Sequence, residues 1–244
     1  PDQPLIDDNT GRLDVTAFGT NADRALADGT SAGAGVGVGA VESRISSVSD
    51  AQVHVGKDAN LHVEGIVTLE ADILAAKIDP EDGKFKATNW VESRGVSSGA
   101  ITGVASTVAI SEQEVSSGVE LAESARIEAG RIIVDSEALG GTRALARGGA
   151  FAGLAGVNSV NAFDLDHYSS HIILGTNAIL DANTIEMFSD SLTLPEVSTS
   201  ALSGGLANAT LSQFSNTRNH ENTRNLSSVA SIQIRDGASI STIN

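Results

Sequence analysis

Val53-His54-Val55-Gly56-Lys57-Asp58-Ala59-Asn60-Leu61-His62-Val63, continued by Glu64-Gly65-Ile66-Val67-Thr68-Leu69, is the stretch whose reading decides the fold. Apolar residues stand two apart, a short polar corner containing Gly leads to an Ala, and apolar residues two apart resume. That pattern reads as strand, corner, strand. It returns at Val119-Glu120-Leu121-Ala122-Glu123-Ser124-Ala125-Arg126-Ile127-Glu128-Ala129, at Ile172 to Ala182, and at Ile232 to Ile240. The Ala position suits a bend where neighbouring backbones lie close. It would serve equally as an ordinary filler of a β core.

A run of small residues precedes each copy: Ser31-Ala32-Gly33-Ala34-Gly35-Val36-Gly37-Val38-Gly39-Ala40, Ser98 to Ala105, Gly148 to Gly156, and Ser203 to Ala207. In the first, Gly takes every second position, so an extended chain has one bare face and one face of Ala and Val. Gly37 to Ala59, Gly103 to Ala125 and Gly156 to Ala178 each span 22 residues (59 − 37, 125 − 103, 178 − 156), which marks the copies as homologous. Gly11 is placed in the Ala59 position and Leu13 in that of Leu61, making residues 11 to 22 the back half of a repeat. The anchors at 11, 59, 125, 178 and 238 are then separated by 48, 66, 53 and 60 residues, a constant core with variable loops.

The longest separation holds Lys77-Ile78-Asp79-Pro80-Glu81-Asp82-Gly83-Lys84-Phe85-Lys86, whose Pro and Asp-Gly are turn chemistry, read as an excursion between layers. Helical periodicity is poor, and Glu137 to Arg147 is the one short helix expected. Strands of about 4 to 8 residues, two or three turns of chain to a repeat, would stack at about 4.8 Å. The expected fold is all-β, a parallel β-helix, with an antiparallel β-sandwich as the alternative. The whole of 1–244 is read as one solenoid segment: a partial repeat 11–30, then 31–94, 95–147, 148–202 and 203–244.

Composition narrows the function. Asp and Glu number 31 against 15 Lys and Arg, a formal charge of −16, which disfavours nucleic acid and anionic membrane surfaces as partners. With 41% hydrophobic residues but 3% aromatics, the core must be built from Val, Ile, Leu and Ala. Absence of Cys removes disulfides and thiolate metal sites. No apolar run reaches transmembrane length, and Pro1-Asp2-Gln3-Pro4 has neither an initiator Met nor signal-peptide form, as expected of a mature or internal segment.

The string Ser31 to Val41, leading through Ser43-Arg44-Ile45 to Val53 to Val63, resembles the repeats of very large bacterial surface adhesins of the leukotoxin and filamentous-haemagglutinin type. The resemblance covers about residues 11 to 244 and rests on pattern. It implies a right-handed β-helical shaft, secreted and displayed on the bacterial cell surface, acting in attachment or cell-to-cell contact. The partners it implies are neighbouring solenoid segments of the parent chain and a cell-surface glycan or protein. The last repeat departs from the pattern, because Asn216 to Asn225 is polar where earlier copies are apolar.

Candidate chemistry is sparse. Asp164-Leu165-Asp166-His167-Tyr168-Ser169-Ser170-His171 is the densest reactive cluster, with a solvated corner between strands as its plain reading. Asp58, Ser124, Asn177 and Gly237 align in one repeat column, and His62, Glu128, Asp181 and Ser241 in another. The second brings Glu128 and Asp181 side by side, as in β-helical polysaccharide-processing enzymes, or else forms the outward polar half of a strand. Glu128, Asp181, Asp164, Asp166, His167 and His171 are therefore the residues an enzyme would use. The leading expectation assigns none of them to catalysis or metal binding. Calcium stays open on acidity alone, through Asp7-Asp8-Asn9 and Asp79 to Asp82, although no calcium-roll nonapeptide or EF-hand loop is present.

Overall fold

The computed structural model describes residues 11–78, 81, 85–216 and 227–242. These residues form three parallel sheets wound into coils, a parallel β-helix. The first partial coil has β1 (Arg12–Thr20) and β2 (Arg24–Gly33). The second has β3 (Val36–Val55), β4 (Asn60–Ile78), β5 (Phe85–Ala87) and β6 (Asn89–Gly99), and the third β7 (Thr102–Leu121), β8 (Arg126–Gly140) and β9 (Thr142–Ala152). The fourth has β10 (Ala155–Asp164), β11 (His167–Leu174), β12 (Ile179–Thr193) and β13 (Glu196–Gly204). The last has β14 (Ala207–Asn216), β15 (Ser227–Ile234) and β16 (Ser239–Thr242).

A long sheet stacks β3, β7, the β10–β11 pair and the β14–β15 pair; a flank sheet stacks β1, β4, β8, β12 and β16; a short sheet stacks β2, β6, β9 and β13. Every pairing between coils is parallel, which excludes the sandwich. The columns inferred from spacing hold: Gly37, Gly103 and Gly156 are paired in register, and so are His62, Glu128, Asp181 and Ser241.

Several expectations are corrected. One repeat makes one coil, not two or three, because the strands run to 20 residues. Polar residues that look like breaks, such as Ser43 and Ser117, turn inward and are satisfied by other buried hydroxyls, so the strand continues through them. Glu137 to Arg147 is not helical: it is the end of β8, a corner at Gly141 and the start of β9, held in register on both sides. Gly11 does not sit at the Ala59 position. Its strand pairs Arg12 with Ile66 and Leu13 with Val67, after a bulge in which Glu64 and Gly65 oppose Gly130.

The excursion is in part an antiparallel arm, Ala76 to Ile78 pairing with Phe85 to Ala87. Asp79, Pro80 and Asp82 to Lys84 lie outside the described residues, as do Asp7-Asp8-Asn9 and 217 to 225 of the polar stretch. On either side of the latter, β14 and β15 keep register with β10 and β11.

Two corners explain the spacing. Between the long and flank sheets the chain turns through Asp58, Ser124, Asn177 and Gly237, all at positive φ (57°, 59°, 57° and 71°). The next residue is always the Ala of the repeat, and Ala125 and Ala178 are wholly buried. Between the short and long sheets the glycine face turns inward, because the two backbones touch. A Cβ on Gly37 would stand 1.9 Å from the Ser98 carbonyl oxygen, and one on Gly103 would stand 2.5 Å from that of Phe151. The core thus narrows from a wide apolar end beside the first corner to a glycine edge at the second.

Candidate functional site

The candidate residues fall on opposite sides of one sheet. Alternation along β10 and β11 turns Asp164, Asp166 and Tyr168 inward, where all are buried, and turns His167 and His171 outward. A strand cannot bring both sets to one reacting atom. The expected solvated corner is therefore corrected: its carboxyls are in the core. His171 and Gln52 instead fold over the gap left by Gly118, the residue with which both are paired.

Inside, the two carboxyls belong to a polar seam. Ser111 Oγ and Thr142 Oγ1 donate to the two oxygens of Asp166 at 2.8 Å each. Tyr168 Oη and Asn89 Nδ2 donate to Gln113 Oε1 at 2.9 and 2.8 Å. Neither oxygen of Asp164 accepts a bond from a donor side chain such as those that hold Asp166. Burial, then the charge of Asp166, pushes the Asp164 carboxyl up to about 9. Burial also raises Asp166, against the hydrogen bonds from Thr142 and Ser111 that favour its charged form. Asp164 is thus held in its acid form at neutral pH, and its side-chain hydrogen bond to Asp166 favours that form. This arrangement joins the long and short sheets, and none of its side chains is open to solvent.

Glu128 and Asp181 are neighbours on the outer face of the flank sheet, as their column requires. Arg126 lies between them, 3.3 Å from Glu128 and 3.9 Å from Asp181; His62 Nδ1 is 3.6 Å from Glu128, and Ser241 Oγ donates to Asp181 at 3.0 Å. The set is one rung of a series of ion pairs between coils. Others are Lys57 with Glu123 at 2.7 Å, Arg131 with Glu186 at 2.7 Å and Arg143 with Glu196 at 3.0 Å. Trp90 extends the last of these, with Arg24 4.7 Å and Arg143 5.7 Å from its ring centre in a single column.

A further feature escaped the sequence reading. On the outer flank face, Glu70 opposes Asp135, and Asp72, Glu137 and Asp190 form a row of like charge, with Phe18 at the end of that row and Phe188 at the end of the other. Burial, then a hydrogen bond and charge from Glu70, pushes Asp72 up to about 7. Burial and neighbouring carboxylates also raise Asp135 and Glu137. Column counting finds this row: Glu137 and Asp190 stand 12 residues past Ala125 and Ala178 (137 − 125, 190 − 178), and Asp72 stands 13 past Ala59 because of the bulge. Among the described residues no group of three or more His, Asp or Glu is arranged to hold a metal ion.

No protein-family model, curated protein or solved structure matches the chain.

Proposed function

We propose that this chain is a non-catalytic shaft segment of a large secreted bacterial surface protein, a stalk whose outer faces meet a cell-surface glycan or protein. The observation that supports it most is how the coils end. Among the described residues, β1, β2 and β3 at one end and β13 to β16 at the other each pair through one edge with another coil. At the second of these ends the core is left open: Ile232, Ile234 and Ile240 sit over buried Ile172, Leu174 and Leu180 yet are themselves exposed. A free parallel edge above an open core is what another coil would complete. The partners proposed are accordingly neighbouring solenoid segments.

The ion-paired state of Glu128 and Asp181, and the separation of Asp164 and Asp166 from His167 and His171, support the absence of a catalytic role. The test is incubation with acidic and neutral polysaccharides, with and without calcium, scored for retained protein and for new chain ends. Retention without cutting is expected of an adhesive shaft, and neither of a pure spacer. New chain ends that disappear in Asp181→Asn would replace this reading with a polysaccharide-processing enzyme.

A further inference from the structure

The short-to-long corner inverts the usual arrangement of a strand, and the inversion leaves apolar side chains with nowhere to go. Its glycines face inward, where backbone meets backbone: a Cβ on Gly156 would stand 2.7 Å from the carbonyl oxygens of Ala150 and Gly204. The large residues that alternate with them must therefore point to solvent. Val38, between Gly37 and Gly39, is 65% exposed, and at the bend itself Ile101, Leu154 and Leu206, which follow one another in a single column, are 51%, 53% and 86% exposed. Phe151 and Leu202 continue the surface onto the short sheet, both exposed, the Phe151 ring lying against Gly149 and Gly204.

This edge is also free of charge in every coil. No Asp, Glu, Lys, Arg or His occurs from Gly29 to Val41, Gly95 to Ser111, Gly148 to Phe163 or Val197 to Asn216. The 31 acidic and 15 basic residues of the chain all lie elsewhere. We propose that this ridge is a homotypic contact, along which a second copy of the chain packs side by side. Charge selects the occupant. Two bodies of net charge −16 repel on any carboxylate-bearing face, and this edge is where they can touch without setting like charges together. A basic partner would be drawn to the carboxylate rows instead, and anionic lipid would be repelled by the body of the shaft.

Four coils at about 4.8 Å give a ridge about 15 Å long, well short of the roughly 800 Å² per partner of a standard interface. Pairing is accordingly weak and reversible for this segment, and it would grow coil by coil in a longer shaft. It does not depend on whether the shaft binds glycan.

The test is sedimentation equilibrium of the chain up to about millimolar concentration at low and high salt. A monomer–dimer equilibrium that strengthens with salt is expected, because salt screens the like charges and leaves apolar contact intact. Leu154→Asp, at an exposed position, should keep the thermal melt and weaken association by tenfold or more. Because the chain has no Cys, Ile101→Cys provides an independent reading: under mild oxidation it should cross-link copies much faster than Phe188→Cys on the flank face. A monomer at every concentration, association that weakens with salt, or a dimer indifferent to Leu154→Asp would overturn the proposal. The last would place the contact at the coil ends.

Discussion

Beside the long-to-flank corner the coils stack Val53 on Val119 on Ile172, and Leu61 on Ile127 on Leu180, in one apolar cluster. Farther from that corner, where the long sheet faces the start of the short one, the interior changes to serine, threonine, asparagine, glutamine and aspartate: Ser111, Gln113, Thr142, Asn89, Asp164 and Asp166. The apolar end is held by area removed from water, about 1.5 to 3 kcal/mol for each fully buried Ile or Leu. The polar end is held by partner matching, where each bond adds little and each orphan costs more. The difference shows that a solenoid can spend part of its core on specificity of register: apolar columns tolerate slippage by two residues, whereas hydrogen-bonded columns do not.

The largest expected effect breaks the apolar end. Ile127→Asp puts an unpaired carboxylate where the native side chain is wholly buried between Leu61 and Leu180. The loss should exceed about 4 kcal/mol and unfold the coil, seen as a collapse of the far-UV dichroism at room temperature. Survival of a cooperative melt would show that this end is not the anchor of the fold.

The next effect has the opposite sign and comes from the polar end. Asp164 is protonated when folded and has a carboxyl near 9, whereas in the unfolded chain it ionises near its ordinary value of 3.8. Between those limits the native state binds the extra proton, so stability present in acid is lost as pH rises through the neutral range. Asp164→Asn keeps the shape and removes the ionisation. It should raise stability at pH 7.5 by on the order of a few kcal/mol and change little near pH 4, as read from urea midpoints at the two pH values. A loss at both would mean that Asp164 is not held in its acid form.

A smaller effect tests the seam between the two ends. Ser117, Ser136, Ser170 and Ser189 form a chain in which Ser136 meets Ser117 and Ser170 at 3.0 Å each and Ser170 meets Ser189 at 2.8 Å. Ser136→Ala should cost about 1 to 3 kcal/mol by orphaning buried hydroxyls. Ser136→Ala combined with Ser170→Ala should cost less than the two single losses added.

How much of this was legible follows the same division. The apolar columns and the corner were readable because period-two apolar residues and a 22-residue interval survive without knowledge of the fold. The polar interior was not, since Ser47 and Ser49 look like a loop until an opposite wall supplies a partner, as Asn21 does for both. Coil length was misjudged for the same reason. Among the candidate residues, the pairing of Glu128 with Asp181 followed from columns alone, whereas the burial of Asp164 and Asp166 depended on which face of β10 turned inward, and alternation alone does not say which.

The smallest effect lies at the corner that closes the apolar end, where one column holds Asp58, Ser124, Asn177 and Gly237 in the left-handed region. Each non-glycine there carries a cost of about 1 kcal/mol that the packing of the following Ala must outweigh. Asn and Asp tolerate this conformation best, so Ser124 is the most strained of the three. Ser124→Gly should therefore raise the melting temperature by a few degrees, while Ser124→Val, β-branched in the same conformation, should lower it by a similar or larger amount. Equal melts for the two variants would mean that hydrogen bonds between coils, such as that from the Ser124 amide to the Thr176 carbonyl at 2.9 Å, fix this corner and the side chain does not.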